Sequence, residues 1–221
     1  MIGGVRAVGI DVAARRGLDV VTLDAHRRLV GDPQRVLSPR ELEVVFSELR
    51  PDVVAIDAPP AWRATATVRA CERELLRRGL RLYATPSAEG AGNAFYDWMR
   101  TGFDCFTAAV RAGYRPYVGD NTFGGCVLEV FPHAVTVALR GHAPHPGAGG
   151  RTRARREWRA GALAAAGVDI SELRTLDQID AALAALTGLF ALEGAVVAFG
   201  DATDGYIVLP RPTDRAYLKH L

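Results

Sequence analysis

Lysine is nearly missing from this chain: of 27 basic residues, only Lys219 is not arginine. That bias is read as genome composition rather than chemistry. Cysteine is scarce too. Cys71, Cys105 and Cys126 are widely spaced and odd in number, which excludes a disulfide framework or a paired-cysteine zinc site and predicts a reduced, cytoplasmic protein. No apolar run approaches the roughly 18 residues of a membrane span. The opening stretch "MIGGVRAVGID" enters a strand at once, with neither the apolar core nor the cleavage site of a signal peptide.

What is there suffices for one core. The chain has 221 residues, 49% hydrophobic and 24% charged, and a single domain spanning 1–221 is expected. Its net charge of +2 hides an asymmetry, because "RTRARREWR" (151–159) holds five arginines and one glutamate.

Hydrophobic periodicity predicts strands over 5–14, over two segments of 17–37 joined near His26, and over 53–57 and 124–134. A strand, turn and strand follow over 195–210, with Asp201 and Asp204 in the turn. Helices are expected over 38–50, where Ser38, Pro39 and Glu41 give start signals, and over 65–79, 93–114, 151–167 and 175–194. The Gly/Pro-rich "GHAPHPGAGG" (141–150) is a candidate mobile loop, with His142 and His145 as loop residues. The order implies a mixed sheet covered by helices.

Two apolar strands end in the same way, "GID" at Asp11 and "AID" at Asp57. An unpaired carboxylate in a buried strand is costly, so each needs a reason. Glu129 interrupts a third apolar run, and Asp177 and Asp180 share one face of a small-residue helix. Acids at strand ends in an α/β sheet lie where ligands gather. Crowded carboxylates repel unless a cation sits among them, and hard ions such as Mg²⁺ or Mn²⁺ take oxygen ligands. Bland readings stand beside this one. An Asp before Pro makes turns, Asp177 complements a helix dipole, and Glu129 can pair with an arginine.

The ordered set "GIDVAA", "AIDAPP", "RACEREL", "EVFPHA", "LDQIDAALAALTG" and "GDATDGYIVLP" resembles the family called domain of unknown function 429, described as predicted ribonuclease H-like nucleases. The resemblance implies an α/β fold with a five-stranded mixed sheet flanked by helices, the first three strands antiparallel and the next two parallel to the first. The final strand-turn-strand is then an addition. It further implies a two-metal phosphodiester hydrolase, with Asp11, Asp57, Asp180 and Asp177 as catalytic acids. Asp11, Asp57 and Asp180 would hold two Mg²⁺ or Mn²⁺ ions, with Glu129 added.

Arginine suits forked phosphate contacts, so Arg69, Arg151 and Arg155 are the candidate contacts to a nucleic-acid or nucleotide substrate. Phe95, Tyr96, Trp98 and Phe103 are expected in the core rather than as a stacking platform. Two other readings stay open: a binding or regulatory module that keeps the fold without turnover, and a phosphotransferase. The second is disfavoured by the chain's length and lack of a glycine-rich adenosine site.

Overall fold

The computed structural model describes residues 4, 6–13, 16–64, 67–142 and 152–212. The candidate loop beyond His142, His145 and Arg151 therefore lie outside the described residues.

Among the described residues eight strands join in one sheet: β1 (Arg6–Ala13), β2 (Gly17–Asp24), β3 (Gln34–Val36), β4 (Val53–Asp57), β5 (Arg115–Pro116), β6 (Cys126–Glu129), β7 (Val196–Asp201) and β8 (Gly205–Pro210). Their order is β3-β2-β1-β4-β6-β8-β7, with β5 pairing on β6. Strands β1 to β3 are antiparallel neighbours, whereas β1, β4, β6 and β8 run parallel. The expected five-stranded sheet is thus corrected to eight. The far edge of β6 is shared, β5 taking Cys126 and Val127 and β8 taking Glu129. That continuation makes the terminal hairpin part of the central sheet rather than an addition to it.

Among the described residues six α-helices pack around the sheet or on one another: α1 (Pro39–Leu49), α2 (Ala70–Arg77), α3 (Asp97–Arg111), α4 (Pro132–Arg140), α5 (Thr152–Ala165) and α6 (Leu176–Leu192). Strand side chains alternate between faces. Val8, Ile10, Val54, Ile56 and Val127 pack with Leu42 and Phe46 of α1 and Cys105, Phe106 and Ala109 of α3. Ala7, Val53, Cys126 and Leu128 pack on the other face, with residues of α4 and α6. Among the described residues no helix is long and apolar enough to cross a membrane.

Local signals explain most boundaries. Thr175 and Gln178 form the capping box that opens α6. At α1 the box is altered: Ser38 Oγ donates to the Glu41 carboxylate instead of accepting from the backbone. Helix α2 is shorter than expected at its start. It closes at Gly79, whose φ of 80° suits a residue without Cβ. Strand β6 also stops early, because Pro132 opens α4, a helix the periodicity did not reveal. Proline at the first helical position loses no hydrogen bond there.

Candidate active site

Asp19, Asp11 and Asp57 stand in register on β2, β1 and β4. Directly paired residues share a sheet face, and two-residue alternation puts Gly9 on that face as well. Gly9 is what lets α6 come down on the acids. A Cβ at Gly9 would lie 2.0 Å from the Ala181 carbonyl oxygen and 2.3 Å from the Ala185 nitrogen. Ala7 and Ala55 meet Gly188 further along the same helix. This close approach carries buried Asp180 to the strand ends, with Asp177 one turn earlier.

Asp11, Asp57, Asp177 and Asp180 line a cleft of about 880 Å³ that also takes in Glu129, His133, Arg155, Trp158 and Arg159. Its electrostatics are those of crowding. Burial, followed by the charges of Asp57, Asp180, Asp177 and Asp19, holds the Asp11 carboxyl well above the usual carboxylate range. Asp57 is pushed up to about 8, mainly by burial and then by Asp180, against the pull of Arg159. Burial and crowding thus favour the protonated form at this pair of register neighbours. Burial also raises Asp180, to about 6, while Arg159 opposes the rise.

The remaining acids have cationic partners. Arg159 Nη1 donates to Asp180 Oδ2, Arg35 Nη2 donates to Asp19 Oδ2 at 2.5 Å, and Arg16 lies 3.7 Å from Asp177. Among the described residues no group of three or more His, Cys, Asp or Glu side chains is set as a metal cage. The Arg159 guanidinium offsets part of the crowded negative charge at Asp180. The donor set nonetheless fits a hard divalent cation. It offers oxygen ligands only, and Asp180 Oδ1 is buried with no hydrogen-bond partner among the described residues.

Arg69 and Glu129, expected as a phosphate contact and a metal ligand, pair with one another. Two guanidinium nitrogens of Arg69 donate to the Glu129 carboxylate at 2.8 and 2.5 Å, and its Nε donates to the Asp204 carbonyl at 2.9 Å. Arg69 is 1% exposed, so it is a wall rather than a contact. Glu129 lies across from Ile56 and not from Asp57. Arg155 does line the cleft.

Asp19, His133 and Tyr83 were not singled out from the sequence. Asp19 is hidden in the alternating "GLDVVTLD". Arg159 belongs to the basic run but turns inward. Burial and the charges of Arg159 and Arg155 lower the His133 imidazole to about 4, keeping it neutral. Tyr83 and Phe95 line the cleft with exposures of 69% and 47%, so Phe95 is not a core residue. The neighbouring basic positions are the only hint that a helix such as α5 faces the cleft.

No curated protein and no solved structure shows a significant match to the chain. One family model does, over residues 9–204, from the first Ile-Asp strand to the turn between β7 and β8. That span encloses every acid of the cleft, and the chain belongs to the family described as "Protein of unknown function (DUF429)".

Proposed function

We propose that this chain is a divalent-metal-dependent phosphodiesterase of the ribonuclease H-like type, acting on nucleic acid or nucleotides. One observation carries the reading: Asp11 and Asp57 are direct register partners at the ends of adjacent parallel strands, with Asp180 brought against them by α6. The sheet order β3-β2-β1-β4-β6, antiparallel and then parallel, supports the fold assignment.

Asp11, Asp57 and Asp180 would hold the Mg²⁺ or Mn²⁺, with Asp177 beside them. Two such ions bound there would supply activation of a water and stabilisation of the departing oxygen of a phosphodiester. The chain's own groups do the rest. Asp11 and Asp57, whose carboxyls burial and crowding hold above the usual range, would have to be deprotonated to hold a cation. Arg159 Nε and Trp158 Nε1 are buried without hydrogen-bond partners among the described residues, and both residues line the cleft. They are donors suited to a phosphate oxygen.

A second reading, a binding module without turnover, draws on the ion pair between Arg159 and Asp180, which occupies one of the three acids. The test is cleavage of labelled DNA and RNA oligonucleotides with millimolar Mn²⁺. Cleavage that EDTA abolishes and Asp57→Asn removes is the expected result, together with a Mn²⁺-induced rise in melting temperature that the variant loses. Oligonucleotide binding without cleavage favours the module. Cleavage untouched by Asp57→Asn overturns the site.

A further inference from the structure

The rings of Tyr83 and Phe95 meet edge to face at the cleft, centroids 5.1 Å apart and planes at 72°. Isolated exposed aromatics are ordinary, but a contiguous exposed pair lining the cleft that holds the acids marks a contact surface. Neither ring is exposed for want of local order. Glu72 Oε1 accepts from both Thr85 N and Thr85 Oγ1, at 2.9 and 2.5 Å, which pins the segment two residues beyond Tyr83. Asn93 Oδ1 accepts from the Phe95 backbone N–H at 2.8 Å, capping the short 3₁₀ turn Ala94–Tyr96. The backbone is fixed while the rings face outward.

We propose that Tyr83 and Phe95 form a stacking subsite for an unpaired nucleobase. The inference rests on the phosphodiesterase reading and adds the substrate class to it. Three features select a base over another apolar group. First, the rings share one cleft with the acid cluster, and its volume of about 880 Å³ suits a nucleotide-sized ligand. Second, Arg81 lines the same cleft, as does Arg16 beside Asp177, giving cationic groups for the phosphates of a nucleotide chain. Third, buried Glu72 also lines it, and its Oε2 has no hydrogen-bond partner among the described residues, an acceptor suited to a base-edge N–H. In a duplex, base faces are covered by their neighbours. A ring platform therefore favours a single strand or an extruded nucleotide over an intact duplex.

The experiment uses Asp57→Asn protein, so that nothing is cleaved, and fluorescence anisotropy with three probes. They are a labelled single strand, the same strand annealed to its complement, and an abasic strand of equal length. The single strand should bind about 10-fold more tightly than the abasic strand, and Tyr83→Ala or Phe95→Ala should remove most of that difference. Tyr83→Phe and Phe95→Tyr should retain it, and the exposed sites keep every variant's melting temperature near the parent's. Equal binding of all three probes, no binding of any, or alanine variants that bind like the parent would overturn the subsite. The two proposals fail separately. Base-dependent binding by a protein whose wild type never cleaves leaves the subsite standing. Mn²⁺-dependent cleavage indifferent to both alanine variants leaves only the phosphodiesterase.

Discussion

Asp57 keeps its proton to about pH 8 because burial and the charge of Asp180 outweigh the pull of Arg159. An unfolded aspartic acid releases its proton near pH 3.9. Between about pH 4 and about pH 8 the folded chain therefore binds more protons than the unfolded one, so stability falls as pH rises through that window. The contribution is fully present below about pH 4 and is lost above about pH 8. In EDTA, Asp57→Asn should remove this slope, so the variant's advantage over wild type should be small at about pH 5 and largest at about pH 9. Urea midpoints at the two pH values measure it, and parallel wild-type and variant midpoints would show that Asp57 is not strained. Asp11 and Asp57 were legible in the sequence because a carboxylate in an apolar run repeats twice. That Glu129 could pair with an arginine was legible too, and the structure bears it out, but that the partner is Arg69 was not, since the two lie 60 residues apart and no local pattern joins them.

Helix α6 depends on missing side chains. The Gly9 contact is with helix backbone, which cannot rotate aside, whereas a Cβ at Gly188 would meet Val53 Cγ1 at 2.9 Å, the tip of a side chain. Gly9→Ala should therefore destabilise more than Gly188→Ala, in the range of about 1–3 kcal/mol for overpacking. It should also reduce the Mn²⁺-induced shift in melting temperature, because α6 carries Asp180. Equal losses for the two alanines, with the metal response intact, would show that the helix does not set the position of the acids. The small residues of α6 and its capping box made this element readable in advance. Helix α4 was not readable, because Pro132 ends an apolar strand and begins a helix in the same stretch. Periodicity within nine residues, Pro132–Arg140, does not separate the two.

Across the whole molecule, the described part of the basic run, 152–159, divides between solvent, the cleft and a buried ion pair, which a count of charges does not reveal. Nor does local pattern reveal that β8 would pair with β6, since strand neighbours are chosen at long range. Arg153 faces solvent and pairs with Glu157 at 2.8 Å, an exposed contact worth little. Arg155 lines the cleft, and Arg159 is buried on Asp180. Phosphate neutralisation gives a linear fall of log affinity with log salt, roughly 0.7 per contacted phosphate on single strands. Arg155→Gln should flatten that slope by about one such contact, while Arg153→Gln leaves it nearly unchanged. Arg159→Gln acts differently, because it leaves buried Asp180 without its counter-charge. It should lower the stability of the metal-free protein and enlarge the stabilisation given by Mn²⁺, since the cation then takes the place of the guanidinium. Anisotropy titrations at several salt concentrations, with melting curves in EDTA and in Mn²⁺, separate the three variants. Equal flattening by all three would reduce the run to a diffuse positive field. A melting curve of Arg159→Gln that matches wild type in both conditions would mean that the guanidinium does not stand in the place of a metal.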